Sequence, residues 1–152
     1  KRHYEEEEID HVEGWALSCT TTSLRYLLPL CPEETRVAAW IKPFAFFHRG
    51  SRGHPPYAWE PVLFISARPK QKTSKGVRDW LSCNAFGVTA KEREFGKKVG
   101  VVGIKPLVFC TWIFEIIGAQ PDDELDDLYP GSGMVSNIWK QWQLTIAQEE
   151  KE

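Results

Sequence analysis

Short apolar runs, separated by proline, glycine and charged residues, follow one another along the first half of the chain. The runs at residues 14–18, 36–42 and 57–65 are too short for amphipathic helices and end at breaking residues, which predicts three buried strands. Hydroxyl residues at 20–23 precede three leucines at helical spacing in residues 24–28, and prolines follow closely. This arrangement predicts one short helix between the first two strands.

The last third of the chain has a clearer pattern. An apolar face begins at Pro106, a favourable first residue for a helix, and Gly118 stands where such a helix would end. Residues 125–129 then predict a short strand, residues 130–133 a glycine turn that opens another helix, and residues 143–147 a final strand. Strands that alternate with helices over short connections predict a parallel α/β sheet covered on both faces.

The composition fits one globular domain. The chain has 152 residues, of which 42% are hydrophobic and 12% aromatic, so it can bury a core and is not of the disordered class.

Its longest apolar run, residues 106–119, is interrupted and falls short of the roughly 20 residues that a membrane-spanning helix needs. The acidic start does not resemble a signal peptide, and the four cysteines and four histidines have no metal-ligand spacing. We therefore expect a cytoplasmic protein without a metal site.

Basic residues are concentrated in the middle of the chain. Between Arg36 and Lys105 there are 14 lysines and arginines against four acidic residues, whereas the rest of the chain is strongly acidic. Such a segment indicates a surface that faces a polyanion such as a nucleic acid. A solvated surface with scattered lysines explains the same charge, and charge alone does not separate the two interpretations.

The segment 126–133 leads from a predicted strand into a helix and contains Gly131 and Gly133. Glycines in such a turn permit backbone angles closed to other residues and let a ligand approach the backbone. A P-loop would need a lysine after the last glycine, and a dinucleotide site a third glycine at the position of Ser136, so neither nucleotide is favoured. S-adenosylmethionine fits better, because Asp127 can accept its cationic ammonium group; a plain tight turn is the alternative.

Two segments together resemble the paired cofactor motifs of amino-group DNA methyltransferases, in the permuted members whose catalytic half comes first. One is Gly-Ile-Lys-Pro-Leu-Val-Phe at residues 103–109, and the other is Asp-Leu-Tyr-Pro-Gly-Ser-Gly at residues 127–133, where Tyr129 replaces the usual Phe. The core strands of phage and actinobacterial DNA methylase-like proteins are similar to three upstream segments: residues 14–18, 36–43 and 57–62.

The resemblance implies an α/β fold, a Rossmann-like methyltransferase sheet that is circularly permuted and incomplete. Within one domain, residues 1–67 would be the catalytic-half strands, residues 68–100 a DNA-recognition insert and residues 101–152 the cofactor-binding half. The implied activity is methyl transfer from S-adenosylmethionine to an exocyclic adenine or cytosine amine in DNA.

The resemblance also implies which residues bind each ligand. Asp127 would bind the methionine ammonium, with the glycine loop as the floor of the pocket and residues from the Lys-Pro segment as its wall. The implied cofactor-binding residues are Asp127, Tyr129, Pro130, Gly131, Ser132, Gly133, Lys105, Pro106 and Phe109. The implied DNA-binding residues are Arg68, Lys70, Lys72, Lys75, Arg78, Lys97 and Lys98.

The catalytic motif of that family, Asp/Asn-Pro-Pro followed by an aromatic residue, is missing from the sequence. In it, the polar side chain and a Pro-Pro carbonyl accept hydrogen bonds from the target amine, while the aromatic ring stacks on the flipped base. The nearest sequence is His-Pro-Pro-Tyr at residues 54–57, which we reject because a neutral histidine offers one acceptor nitrogen and no carboxylate equivalent. The family motif would lie ahead of Arg2, so no catalytic residue is assigned.

The chain is therefore expected to be a fragment, a degenerate homologue or a rearranged form of such an enzyme. Two other functions stay open. One is a non-catalytic module that binds DNA or a partner protein and keeps the methyltransferase fold, and the other is a structural relic that binds nothing. The target sequence and the oligomeric state are not given by these patterns.

Overall fold

The computed structural model describes residues 14–43, 57–68, 76–83, 105–131 and 133–149. These residues form a small mixed α/β structure with four strands and three helices. The strands are β1 (Trp15–Ser18), β2 (Arg36–Ile41), β3 (Trp59–Ile65) and β4 (Trp80–Ser82). The helices are α1 (Leu24–Leu27), which continues as a 3-10 turn (Leu28–Leu30), α2 (Leu107–Ile117) and α3 (Met134–Glu149).

The four strands form one sheet in the order β1-β3-β2-β4. Strand β3 is antiparallel to both of its neighbours, whereas β4 is parallel to β2. Strands β1, β2 and β4 therefore run in one direction and β3 runs against them. The prediction of a parallel sheet is wrong for the described strands. Continuous apolar runs are typical of parallel strands, because both of their faces are covered, but β3 is covered on both faces and is antiparallel.

The core lies between the central strands and the two long helices. Phe114 of α2 is 1% exposed, and its ring lies 4.9 Å from the ring of Trp139 and 5.5 Å from that of Trp142, both in α3. Each large apolar side chain buried in this way contributes about 1.5–3 kcal/mol to folding. The other members of the core cluster are Ala38, Trp40, Val62, Phe64, Phe109, Cys110, Trp112, Ile116, Ile138 and Trp139.

Helix α2 begins one residue after Pro106, its predicted first residue, and ends where the sequence predicts. Pro106 stands at its N-cap in an extended conformation, and Gly118 ends it with a left-handed φ of 73°. The N–H of Gly118 donates to the carbonyl of Glu115, and the N–H of Ala119 donates to that of Phe114. These bonds satisfy carbonyls that would otherwise lack partners at the helix end.

The end of β3 is fastened to the end of α2. The N–H of Ala67 donates to the carbonyl of Ile117 at 2.8 Å, and the Ser66 hydroxyl donates to that of Ile116 at 2.5 Å. Arg68 makes a bidentate ion pair with Asp123, at 2.6 and 2.5 Å, in the turn that follows α2. Strand and helix therefore finish at the same end of the molecule.

Two predicted strands are wrong, and one observed strand was not predicted. Residues 125–129 have no regular secondary structure, and residues 143–147 lie inside α3. Trp142 packs against Phe114 of α2 at 5.5 Å, and Gln143 Nε2 donates to the carbonyl of Pro121 at 2.7 Å, so contacts with α2 and with the turn after it hold this part of the chain in the helix. The predicted strands at 14–18, 36–42 and 57–65 are confirmed as β1, β2 and β3, while β4 falls in a stretch without clear periodicity.

Within the described residues, no helix is long and apolar enough to cross a membrane.

Candidate ligand site at the carboxyl end of the sheet

Four polar side chains from separate elements meet at one end of the sheet. Ser18 closes β1, Lys42 directly follows β2, Glu60 is the second residue of β3, and Lys105 stands just ahead of α2. Because β1 and β2 run together and β3 runs against them, the ends of the first two strands lie beside the start of the third. We call this the carboxyl end of the sheet, since β1, β2 and β4 all finish there. In open α/β sheets, ligands bind outside the carboxyl ends of the strands.

Glu60 is the centre of this cluster. Its Oε2 atom accepts hydrogen bonds from Lys105 Nζ at 3.0 Å and from Ser18 Oγ at 3.2 Å, while its Oε1 atom accepts one from Lys42 Nζ. Lys105 Nζ also donates to Ser18 Oγ at 3.1 Å. The Lys42 side chain is 10% exposed, and those of Glu60 and Lys105 are 28% exposed. The carboxylate thus links three elements through partly buried, charge-assisted bonds.

An aromatic surface supports both ammonium groups. The Trp40 ring centroid lies 4.2 Å from Lys42 Nζ and 4.6 Å from Lys105 Nζ, and the Phe109 centroid lies 5.0 Å from Lys105 Nζ. These are cation–π distances. The Trp40 indole N–H donates to the carbonyl and the sulfur of Cys83, at 3.3 and 3.1 Å, so the end of β4 holds the ring in place.

Burial and the neighbouring charges together shift the pKa of two members of the cluster. Burial by itself would raise the pKa of Glu60, but the hydrogen bonds and charges of Lys42 and Lys105 outweigh it and hold the pKa below its ordinary value. Burial lowers the pKa of Lys105, and Glu60 offsets only part of that effect. With two ammonium groups and one carboxylate, the cluster has an excess of positive charge that favours an anionic ligand group.

The glycine loop ahead of α3 is built around Asp127. The Oδ1 atom of Asp127 accepts the N–H of Tyr129 at 3.3 Å, and its Oδ2 atom accepts the hydroxyl of Ser136, in the first turn of α3, at 3.3 Å. Gly131 and Gly133 have φ values of 46° and 69°, in the left-handed region that other residues avoid. The sequence predicted this need for glycine, and the backbone angles confirm it.

The direction of α3 sets the position of this loop. Gln143 Nε2 donates to the carbonyl of Pro121 at 2.7 Å, in the turn that follows α2. Gln143 lies nine residues after Met134, roughly 14 Å along a helix. The junction of the glycine loop with α3 is therefore separated from the Pro121 contact by about that length of helix.

The predicted cofactor residues divide into two groups. Asp127, Tyr129, Pro130, Gly131 and Gly133 lie together in the glycine loop, where Tyr129 is 82% exposed. Ser132 lies outside the described residues. Of the cavities formed by described residues, those of about 510 and 350 Å³ are lined by none of the predicted cofactor residues.

The other group, which lies at the start of α2, mainly contacts other side chains of the protein. Lys105 is paired with Glu60, Pro106 is buried, and Phe109 is 5% exposed. The Phe109 ring lies 4.5 Å from the ring of Trp40 and 5.9 Å from that of Trp112. Within the described part of the chain, no hydrogen bond or ion pair joins this group to the glycine loop.

Two of the predicted DNA-binding residues are described, and they differ in their surroundings. Arg68 is engaged with Asp123 and with the carbonyl of Gly118 at 3.0 Å, which gives it a role in fastening β3 to α2. Arg78 instead lines an open cleft and lies over the Trp80 ring at 5.3 Å. The remaining residues of that prediction lie outside the described part of the chain: Lys70, Lys72, Lys75, Lys97 and Lys98.

Sequence reasoning missed Ser18, Lys42 and Glu60 as members of a site. A usable signal existed for two of them, because each is a lone charge in or next to a buried strand. Charged residues are almost never buried without a partner. That rule indicates that Lys42 and Glu60 need partners, although it does not identify them. Among the described residues, no group of three or more histidine, cysteine or acidic side chains is placed to hold a metal ion.

Comparison of the chain with protein-family models, with curated proteins and with solved structures finds no match.

Proposed function

We propose that the chain binds S-adenosylmethionine in the glycine loop and serves the transfer of its methyl group to an exocyclic amine of adenine or cytosine in DNA. The observation that carries the proposal is the Asp127 carboxylate, held at a loop with two left-handed glycines ahead of a 16-residue helix. A carboxylate in that place can accept the methionine ammonium, while glycines let the ligand approach the backbone.

Two further features support the same ligand. Tyr129 presents an exposed aromatic ring two residues after Asp127, a surface suited to the adenine ring or the sulfonium. The methionine part of the cofactor also carries a carboxylate, and Lys105 belongs to a cluster with excess positive charge. The common direction of β1, β2 and β4 agrees with a circularly permuted Rossmann-like sheet, which is part of the proposal.

In the proposed reaction, the lone pair of the base amine attacks the methyl carbon of the sulfonium. S-adenosylmethionine held by Asp127 would supply this electrophilic methyl group, and S-adenosylhomocysteine and an amine proton taken up by water would be the other products. The acceptor that aligns the amine is unassigned. Glu60 is not offered for it, since both of its oxygens already accept hydrogen bonds from Lys42, Lys105 and Ser18.

The absence of the Asp/Asn-Pro-Pro motif from the sequence favours a second function, a non-catalytic module that binds the cofactor or DNA without methyl transfer. The two functions differ in one measurement, the incorporation of tritiated methyl groups into unmethylated DNA. Incorporation supports the enzyme, and cofactor binding without incorporation supports the module.

The proposal is tested by titrating S-adenosylmethionine into the protein in a calorimeter. We expect Asp127→Asn to weaken binding by roughly tenfold or more, since a charge-assisted bond to the ammonium is lost. Asp126→Asn is the matched control, because Asp126 is the adjacent, exposed carboxylate, and it should leave the affinity unchanged. Ser136→Ala removes the bond that holds Asp127 to α3 without removing the carboxylate, so it separates loop geometry from charge. The proposal fails if the wild type does not bind the cofactor, or if the Asp127 and Asp126 variants bind it equally well.

A further inference from the structure

A second candidate site lies at the end of the sheet opposite to the Glu60 cluster. Strands β2 and β4 begin there and β3 finishes there, with Arg36 opposite Phe64 in the register of β2 and β3. Between these strand ends and Ile116 of α2 is an open cleft of about 510 Å³. That volume falls within the range of small-ligand pockets, about 300–1,000 Å³. The residues of its wall that matter here are Arg36, Phe64, Arg68, Arg78, Asp79 and Trp80.

The cleft is rich in guanidinium groups. Three arginines and one aspartate line it. Arg36 pairs with Asp79 at 3.2 Å, but their side chains are 65% and 55% exposed, and ion pairs this exposed are weak and easily exchanged. Among the described residues, Arg78 has no ion-pair partner. Two of the three guanidinium groups are thus available to an anion, while Arg68 stays committed to Asp123.

The same wall presents aromatic surface. Trp80 is 43% exposed, and the guanidinium carbon of Arg78 lies 5.3 Å from its ring centroid. The guanidinium carbon of Arg36 lies 5.4 Å from the ring centroid of Phe64. Planar guanidinium groups match the oxygens of a phosphate, and an exposed indole is a stacking platform for a base.

We infer that this cleft binds a nucleotide unit, with its phosphate between Arg36 and Arg78 and its base against Trp80. The unit can belong to a free mononucleotide or to a single-stranded nucleic acid, which share this chemistry. The site is separated from the carboxyl end of the sheet by the length of the strands. It therefore goes beyond methyl transfer and does not depend on the glycine loop binding any cofactor.

The test measures the affinity of three probes by calorimetry: thymidine monophosphate, pyrophosphate and a twelve-residue oligothymidylate. We expect Arg78→Gln to weaken all three by roughly tenfold, because it removes a phosphate contact. Trp80→Leu should weaken the two thymidine probes by about fivefold or more and leave pyrophosphate unchanged, since pyrophosphate has no base to stack. A variant that had lost its structure would bind pyrophosphate as poorly as the thymidine probes. An unchanged affinity for pyrophosphate therefore shows that Trp80→Leu removed the base contact alone.

Arg25→Gln is the matched control, because Arg25 also lies over an exposed aromatic ring, that of Tyr26 at 4.8 Å, but outside the cleft. It should bind all probes as the wild type does.

Tight binding of the oligomer with weak binding of the monophosphate identifies a nucleic-acid strand as the ligand, and equal affinities identify a free nucleotide. The inference is overturned if no probe binds the wild type, if Arg78→Gln binds as tightly as the wild type, or if Arg25→Gln loses as much affinity. Circular dichroism of each variant verifies its fold, and Arg78→Gln decides alone if Trp80→Leu does not fold.

Discussion

Glu60 shows how one charged residue can join parts of a chain that are distant in sequence. Its partners Lys42 and Lys105 lie 18 and 45 positions away, on either side of it. Neither lysine has another carboxylate partner among the described residues. The three groups are stable together because each charge is paired, and removing the carboxylate would leave two partly buried ammonium groups side by side.

We therefore expect Glu60→Gln to destabilise the protein by about 2–3 kcal/mol. The value is set below the roughly 3–5 kcal/mol of a fully buried pair because Glu60 and Lys105 are each 28% exposed. Urea unfolding followed by fluorescence measures it. Glu115→Gln is the matched control, since Glu115 is exposed on α2, and its effect should stay within about 0.5 kcal/mol. Equal stability of the two variants would contradict a structural role for the cluster.

At the scale of elements, the best-predicted part of the chain is α2. Proline before the first turn, a wide apolar face and glycine after the last turn are local signals, and each agrees with the packing that the helix achieves. The two wrongly predicted strands have different causes. The short segment 143–147 suits a strand or a helix, and the neighbours that decide between them are distant in sequence. Residues 125–129 contain two aspartates, and Asp127 bonds to Tyr129 and Ser136 in a loop.

Gly118, at the end of α2, is the boundary residue whose backbone conformation most clearly requires glycine. Its φ of 73° is left-handed, and a Cβ atom added there would lie 3.4 Å from the carbonyl oxygen of Arg68. We expect Gly118→Ala to lower the free energy of unfolding by about 1–2 kcal/mol, the cost of a left-handed alanine. Gly76→Ala serves as the control, because nothing lies within 4 Å of its added Cβ atom. Thermal unfolding compares the two, and a smaller loss at Gly118 than at Gly76 would contradict the assignment.

At the scale of the whole molecule, the sheet separates two polar sites. The Glu60 cluster lies where β1, β2 and β4 finish, and the arginine cleft lies where β2 and β4 begin. Antiparallel β3 contributes to both, with Glu60 at its start and Phe64 near its end. The concentration of basic residues between Arg36 and Lys105 is thus divided by the fold, since Lys42 and Lys105 are at one end and Arg36 and Arg78 at the other.

The pKa shift of Glu60 makes the stability of the whole molecule depend on pH. In the folded protein the pKa of Glu60 is held below its unfolded value, which is about 4.3, so the folded state binds its proton more weakly. The resulting stabilisation is complete above the unfolded pKa and is lost as the pH falls through the folded pKa. The difference in unfolding free energy between wild type and Glu60→Gln should therefore be constant from about pH 5 to 7 and shrink below about pH 4. Urea titrations at each pH measure it, and a difference that persists unchanged to pH 2 would be inconsistent with an ionised Glu60.

The sequence by itself determined the local elements of this protein. Apolar runs bounded by breaking residues placed β1, β2 and β3, caps placed α2, and Gly131 and Gly133 marked a loop that needs left-handed angles. These features depend on interactions within a few residues, which is why a sequence pattern can contain them. Tertiary structure decided the direction of the strands, the length of α3 and the meeting of Lys42, Glu60 and Lys105. Which segments become neighbours decides whether two strands pair parallel or antiparallel, and it also decides which buried charges pair. Both depend on the packing of the whole chain.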